Sequence, residues 1–230
     1  MLDAIFLPKL TQLSPTLDST IWKAMEEAGE LARAVLKFLP YEGLGPAELT
    51  DGTDAAVLLS DVSGELLDVA QTCVTMIFVM EDSCGIHVAD LIDSHLQKLD
   101  SKGYRYDRNH IYRVVTRTEA DCRYGAGQGS YKLIHLPRLQ LEGVTLLTTV
   151  CKIQEELGEL TQFWGKGSGA SGEAEGLPRA ATYRDCALEL LDIAQCCFTM
   201  MYILVERYGL DMTELAAAHV SKLRRKGYCR

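Results

Sequence analysis

Residues 65–76 read ELLDVAQTCVTM, and residues 189–200 read ELLDIAQCCFTM. Each stretch is almost continuously apolar and extends into longer apolar sequence, which is typical of a buried helix rather than a strand. A Glu, an Asp, a Gln and a Thr interrupt the apolar residues at the same places in both copies, and the first copy has one further Thr at residue 72. Two such similar stretches indicate an internal repeat, and a repeat determines the organisation of the whole chain.

The repeat extends well beyond these two stretches. Upstream, LPKL matches LPRL and EEAGEL matches EELGEL, at residues 7–10, 136–139, 26–31 and 155–160. Downstream, both copies end in the pattern K-x-x-x-K-G-Y, at residues 98–104 and 222–228. The first copy is longer between residues 31 and 65, where residues 40–53 are rich in Gly, Pro and Asp. That composition predicts a loop, and loops tolerate such length differences.

The pattern predicts an all-α fold made of two repeats packed as an internal pseudo-dimer bundle. Repeat one covers residues 1–104, repeat two covers residues 136–230, and residues 105–135 form a linker. For the linker, a short hairpin and an irregular segment are both open. Apolar periodicity and capping residues predict three helices in each repeat. We expect them at residues 16–39, 53–83, 88–102, 142–164, 180–208 and 213–226.

Composition narrows the classes of function. The 230 residues carry a net charge of −9, which argues against general binding to nucleic acid. The eight cysteines form no C-x-x-C pair, and the chain starts without a basic segment followed by an apolar one. We therefore expect a reducing cytoplasm. The longest apolar stretches contain Asp and Gln, so we interpret them as core helices and expect no membrane partner.

Acidic residues form two pairs in each repeat. Their spacing of three places each pair on one helix face, and the pairs are Glu27 with Glu30, Glu65 with Asp68, Glu156 with Glu159, and Glu189 with Asp192. Antiparallel packing of the two helices would bring four carboxylates together. A lone E-x-x-E is usually a solvated surface feature. Here, however, Asp68 and Asp192 lie in apolar helices, where an unpaired carboxylate is costly.

A divalent cation would resolve this repulsion. No basic residue occurs between Lys37 and Lys98, so repeat one offers no local partner for its acids. Hard cations prefer oxygen ligands, which favours one or two Mg²⁺ ions, with Mn²⁺ as a substitute. A di-iron bundle would need E-x-x-H on two helices, whereas His95 and His219 lie on the third helices. Zinc-type His and Cys spacing is not seen.

The combination E-E-x-x-E, then E-x-x-D, then K-x-x-x-K-G-Y resembles the MazG-like all-α nucleoside triphosphate pyrophosphohydrolases over nearly all of both repeats. The resemblance implies Mg²⁺-dependent hydrolysis of a nucleoside triphosphate, such as a dNTP or a non-canonical NTP, to the monophosphate and pyrophosphate. It implies eight metal ligands: Glu27, Glu30, Glu65, Asp68, Glu156, Glu159, Glu189 and Asp192. Among them, Glu27 and Glu156 are the expected catalytic carboxylates, which help to deprotonate the attacking water.

The resemblance also implies phosphate contacts, namely Lys98, Lys102, Lys222, Arg225 and Lys226, although lysines at these positions also suit a helix C-terminus. Lys23 and Lys152 either reach phosphate or pair with the glutamate four residues later. Core packing is favoured over base stacking for Trp22, Phe38 and Trp164, and over catalysis for His95 and His219. We expect the basic residues Lys166, Arg179 and Arg184 to give repeat two the larger part in triphosphate binding.

Two other classes of function stay open. One is a non-catalytic nucleotide-binding or regulatory module that retains a metal site, and the other is a helical interaction protein with simple surface acids. Intact acidic sets in both repeats favour the enzyme. Family members assemble from several subunits, so a further homodimer is compatible with this reading. The base and the sugar of the substrate depend on pocket shape, and the sequence leaves them open.

Overall fold

The computed structural model describes residues 5, 7–10, 12–49, 54–108, 112–117, 131–170 and 179–228. The fold is mostly helical, as predicted. The α-helices of the described residues are α1 (Leu17–Phe38), α2 (Asp54–Ser83), α3 (Val88–Ser101), α4 (Leu146–Gly167), α5 (Arg179–Tyr208) and α6 (Met212–Arg225). Short 3₁₀ turns at Leu39–Tyr41 and Pro46–Glu48 follow α1.

Corresponding helices of the two predicted repeats, which keep the names repeat one and repeat two, have equal lengths, with 22, 30 and 14 residues in each. Matching caps explain part of this agreement. The hydroxyls of Thr16 and Thr145 accept hydrogen bonds from the backbone N–H three residues later, at the starts of α1 and α4. Because Thr145 is the cap, α4 begins later than the predicted residue 142. Gly103 and Gly227, both with φ of 75°, follow the ends of α3 and α6.

A small antiparallel sheet joins the start of repeat one to the linker. Its strands are β1 (Leu7–Pro8), β2 (Val114–Arg117) and β3 (Tyr131–Ile134), in the order β1-β3-β2. Leu7 lies opposite Ile134, and Val114 lies opposite the same residue from the other side. Within the linker, β2 and β3 therefore pair with each other antiparallel. Residues 118–130, which connect them in the sequence and include a glycine-rich stretch at 125–129, fall outside the described residues.

The two longest helices, α2 and α5, pack against each other in the centre. Helix α1 covers α2, and α4 covers α5, each within its own repeat. The third helices cross over: α3 packs mainly on α5, and α6 packs on α2. One continuous core includes buried side chains of both repeats, among them Phe38, Phe78 and Phe198. This crossing places side chains of each repeat beside the acids of the other.

Two helical segments, Asp54–Ser83 and Ala181–Tyr208, are long and apolar enough to span a membrane by length and composition. Most of the apolar window of each, 72% and 83%, is buried inside the fold. Burial of this kind is typical of core helices as well, so the test alone is weak evidence for a membrane span. The apolar character of these segments is explained by the contact between α2 and α5 and the helices that cover them.

The outer face of α1 differs from the prediction. Trp22 is expected in the core, but it is 71% exposed, and Met25 on the same face is 57% exposed. The core face of α1 is formed by neighbouring positions, among them Ile21, Ala24 and Ala28. The prediction was wrong because α1 carries apolar residues on two faces, and helical spacing alone does not say which face is buried. Phe38, in contrast, is fully buried, as predicted.

Candidate functional site

Three carboxylates meet in each repeat. Glu27 and Glu30 on α1 face Glu65 on α2, and Glu156 and Glu159 on α4 face Glu189 on α5. In each set, one oxygen of every carboxylate lies within 4.8 Å of the others. We call the first set, with Asp68, Lys222 and His219, site one, and the second set, with Asp192, Lys98 and His95, site two. The geometry of the clusters suits a cation with oxygen ligands.

The fourth acid of each predicted quartet has cationic partners from the other repeat. Asp192 forms an ion pair with Lys98 of α3, and Asp68 forms one with Lys222 of α6. A predicted phosphate-binding lysine therefore holds an acid of the opposite repeat. Neither lysine is a neighbour in sequence of the acid it pairs with, so these partners were not predicted. They reach the acids because α3 and α6 cross over, and no spacing rule predicts a contact between residues 154 positions apart.

Histidines complete these contacts. Nδ1 of His95 lies 2.9 Å from Oδ1 of Asp192, and Nδ1 of His219 lies 3.5 Å from Oδ1 of Asp68. Both rings are buried, as expected for histidines packed between helices. Burial lowers the pKa of His219 to about 4, so this ring is neutral near pH 7. Burial opposes ionisation of Asp192, but the contacts with His95 and Lys98 outweigh it and lower its pKa.

The glutamates that the long helices contribute to the clusters, Glu65 on α2 and Glu189 on α5, resist ionisation. Burial, together with neighbouring carboxylates, raises the pKa of Glu65 and raises the pKa of Glu189 to about 8. Oε2 of each is buried and has no hydrogen-bond partner among the described residues. A buried acceptor without a partner is costly. A divalent cation would supply the missing partner and remove the repulsion, so the residues fit a metal ion with oxygen ligands.

Lysines one turn earlier hold the glutamates assigned to catalysis. Nζ of Lys23 lies 2.6 Å from Oε1 of Glu27, and Nζ of Lys152 lies 2.6 Å from Oε1 of Glu156. Partial burial opposes the charge of each lysine, but its hydrogen bonds to glutamate prevail and raise its pKa. Of the two roles that the sequence allows for these lysines, the structure shows pairing with glutamate.

A cavity adjoins each site. The cavity at site two has a volume of about 320 Å³, and the cavity at site one has a volume of about 290 Å³. Sites for small ligands commonly occupy ~300–1,000 Å³, so each cavity is at the lower end of that range. Corresponding residues line both: Lys23 and Lys152, Gln71 and Gln195, Thr75 and Thr199, Leu223 and Leu99, Lys226 and Lys102, Tyr228 and Tyr104.

The cavities contain residues that the sequence analysis did not assign. Nε2 of Gln195 donates to the carbonyl of Pro137 at 2.7 Å, and Nε2 of Gln71 donates to the carbonyl of Pro8 at 2.9 Å. Each glutamine also donates to a threonine one turn later. The only signal in the sequence was a polar residue kept at the same position of two apolar helices. These glutamines fix the segment that precedes each first helix against the cavity.

The other predicted residues have varied positions. Lys102 and Lys226 line the cavities, whereas Arg225 is exposed and lies outside the lining residues among those described. Arg184 donates to Oγ of Ser94 on α3 at 2.7 Å. The side chain of Arg179 falls outside the described part of the chain, and Lys166 is exposed. Trp164 is partly buried, stacks on Tyr183 and donates to Oδ1 of Asp18 at 2.6 Å.

Comparison of the chain with models of protein families, with curated proteins and with solved structures finds no match.

Proposed function

We propose that this protein hydrolyses a nucleoside triphosphate to the monophosphate and pyrophosphate, with Mg²⁺ bound at site one and site two. One observation carries the proposal. Each carboxylate cluster contains a buried oxygen that has no partner among the residues the structure describes, and it lies beside a cavity that the opposite repeat helps to line. We further propose that the repeats form an internal pseudo-dimer, in which each supplies the third helix of the other's site.

The acids of each cluster hold the metal in this proposal. Glu27, Glu30 and Glu65 provide oxygens at site one, and Glu156, Glu159 and Glu189 provide them at site two. Asp68 and Asp192 are proposed as the remaining ligands, exchanging lysine for metal when the ion binds. Mg²⁺ would supply charge neutralisation at the phosphates and activate water, and Mn²⁺ would substitute for it.

The protein's own groups then position the reactants. Glu27 and Glu156 accept the proton of the attacking water, and each is held in place by the lysine one turn before it. Lys98 and Lys222, released from their aspartates, and Lys102 and Lys226, which line the cavities, contact the phosphates. Arg225 is exposed at the end of α6, where it adds positive charge for the same anion.

The cavity walls hold the nucleoside. The lining at site two is predominantly apolar, with Leu99, Leu139 and Val144 beside Tyr104. Such walls exclude water and accept a planar base, while a few polar groups orient it. At site two, we propose that Thr199 and Cys196, which line the cavity, orient the base. The corresponding residues at site one are Thr75 and Thr72.

Pyrophosphate release tests the proposal. The full-length chain is incubated with Mg²⁺ and a panel of dNTPs and NTPs, and pyrophosphate is measured. We expect turnover of at least one nucleotide, and the double variant Glu65→Gln/Glu189→Gln should reduce it at least ~100-fold, because it removes a negative ligand from each cluster. Glu155→Gln is the matched control, since Glu155 is exposed and outside the cluster.

Other outcomes separate the alternatives. Mg²⁺ binding without turnover of any nucleotide would leave the non-catalytic nucleotide-binding module as the better description. Absence of both metal and nucleotide binding in calorimetry would leave only the helical interaction protein. Full activity of the Glu65→Gln/Glu189→Gln variant would show that the assigned ligands are incorrect.

A further inference from the structure

The outward face of α1 carries a stripe of apolar side chains. Trp22, Met25 and Leu36 are 71%, 57% and 63% exposed. With 3.6 residues per turn, these three side chains and Gly29 fall on one side of the helix, opposite Leu31 and Ala24 in the core. We call this the α1 stripe. Large apolar side chains that are exposed together mark contact surfaces more often than isolated ones do.

The corresponding face of α4 carries fewer exposed large apolar side chains, with Leu147, 49% exposed, near its start. The residues that match Trp22, Met25 and Leu36 in repeat two are Cys151, Gln154 and Gly165. The two helices otherwise have the same length, the same type of cap and the same position over a long central helix. The common fold therefore does not require an apolar outer face at this position. The larger apolar surface of the α1 stripe is therefore a property of α1 that the common fold does not account for.

We propose that the α1 stripe binds the α1 stripe of a second copy of this chain, antiparallel across a two-fold axis near Gly29. Trp22 and Leu36 are each seven residues from Gly29, about 10 Å along the helix axis. An antiparallel pair centred on Gly29 therefore places Trp22 of one copy against Leu36 of the other. A Cβ built on Gly29 meets no atom within 4 Å, so the glycine leaves open space in which a second helix can approach closely.

The charges beside the stripe are complementary under the same symmetry. Glu26 and Arg33 lie on one edge of the stripe, and the two-fold axis brings Glu26 of one copy opposite Arg33 of the other, twice per dimer. Within one chain both side chains are exposed. Oε1 of Glu26 lies 3.1 Å from Nζ of Lys23, and Nη2 of Arg33 lies 3.7 Å from Oε1 of Glu30. Because ion pairs between exposed side chains are weak, both residues can form a new pair in the dimer. Residue Gln162 replaces Arg33 in α4, so the complementarity is confined to α1.

The apolar part of this interface lies outside the proposed catalytic sites, and only its charged edge adjoins site one, where Glu26 contacts Lys23 and Arg33 contacts Glu30. Glu27 is buried on the side of α1 that faces α2, away from the stripe. Pairing through the stripe leaves both cavities outside the interface, because Trp22, Met25 and Leu36 line neither of them. The presence or absence of this dimer would therefore leave the assignment of site one and site two unchanged.

Sedimentation velocity over a range of concentrations of the full chain tests the proposal. We expect a dimer, and Trp22→Gln/Leu36→Gln should raise its dissociation constant at least ~10-fold. The matched control is Cys151→Ser/Gln154→Ala on α4, which should leave the constant unchanged. Single Glu26→Arg and Arg33→Glu variants should weaken the dimer by like-charge repulsion, and the double variant Glu26→Arg/Arg33→Glu should restore it.

A cross-link provides a second measurement that does not depend on loss of assembly. Gly29→Cys, made together with Cys151→Ser, should form an intermolecular disulfide through position 29 under mild oxidation, identified by peptide mass. A chain that remains monomeric at all concentrations would overturn the proposal, as would a dimer that none of the α1 variants affects. A monomer that instead binds lipid vesicles through Trp22 would assign the stripe to a membrane surface and also overturn it.

Discussion

Site one and site two contain the same residue types at corresponding positions, but they differ in how the histidine is held. At site two, His95 lies closer to Asp192, and its Nε2 is 3.2 Å from Oε1 of Gln195. At site one, Nε2 of His219 and Oε1 of Gln71 are both buried without a partner among the described residues. Nδ1 of His95 lies within ion-pair distance of Asp192 but makes no hydrogen bond within the described part of the chain, so the contact that distinguishes the sites is the one between histidine and glutamine, which is present at site two and missing among the described residues of site one.

This difference shows that a repeated sequence does not ensure repeated electrostatics. A histidine that contacts a carboxylate is better oriented when its other ring nitrogen also has a hydrogen-bond partner. Such residues around a metal ligand tune how well the ligand binds the metal. Site two should therefore bind its metal with a better oriented Asp192. Site one should depend more on Lys222 and on the metal itself. Three experiments test how far this asymmetry extends.

The largest effect should come from pairing variants across the repeats. Lys98→Met/Asp192→Asn removes both charges of one ion pair at site two, so roughly half of the activity should remain from site one. Lys98→Met/Asp68→Asn damages both sites and should abolish activity. Pyrophosphate release measures both, and circular dichroism verifies folding, because the second variant leaves a buried charge unpaired at each site.

The corresponding variants of Lys222, the lysine at site one, are the control. Lys222→Met/Asp68→Asn should retain the activity of site two, and Lys222→Met/Asp192→Asn should retain none. If Lys98→Met/Asp192→Asn were as inactive as Lys98→Met/Asp68→Asn, the sites would not be assembled from both repeats in the way the ion pairs indicate.

A smaller effect should distinguish the histidines. With site one disabled by Glu65→Gln, His95→Asn should weaken Mg²⁺ activation of site two about 10-fold, because Asp192 loses an oriented neighbour. With site two disabled by Glu189→Gln, His219→Asn should have less effect, about threefold or below, because His219 is more distant from its aspartate. Titration of activity with Mg²⁺ gives both values. Recovery at saturating Mg²⁺ is expected for a positioning role, and equal effects would contradict the asymmetry.

The smallest effect should appear in the pH dependence of stability without metal. The pKa of Glu189 is raised from 4.5 to about 8, so the folded form keeps a proton that the unfolded chain loses. Its stabilising contribution is complete below about pH 4.5 and is lost as pH rises through about 8. His219 has the opposite sign, with stability lost as pH falls from 6.5 through about 4. The window from pH 6.5 to 8 therefore isolates Glu189 from His219.

Thermal unfolding in EDTA measures this dependence. The wild-type Tm should fall relative to that of Glu189→Gln as pH rises across that window, and added Mg²⁺ should stabilise the wild type more at the upper end, since binding releases the proton. Glu65→Gln should show the same sign at site one, because the pKa of Glu65 is also raised. Parallel Tm curves for wild type and Glu189→Gln would contradict the protonated state of Glu189.

The helices and the carboxylate clusters could be predicted from the sequence because they depend on local rules. Apolar periodicity and capping residues define the helix bounds, and a spacing of three places Glu27 near Glu30. The partners of Asp68 and Asp192 could not be predicted, because they depend on the crossing of α3 and α6. The exposure of Trp22 could not be predicted either. Helix α1 has two apolar faces, and its own sequence does not show which of them packs against another element.

The crossing of the third helices has a consequence for synthesis of the chain. The carboxylates of site one are translated within repeat one, but Lys222 and His219 belong to α6, the last helix described. Asp68 is therefore synthesised 154 residues before Lys222, the lysine with which it forms an ion pair. Until then, α2 exposes the surface that α5 and α6 cover in the folded chain, and apolar surface exposed in this way promotes aggregation of a partly synthesised chain.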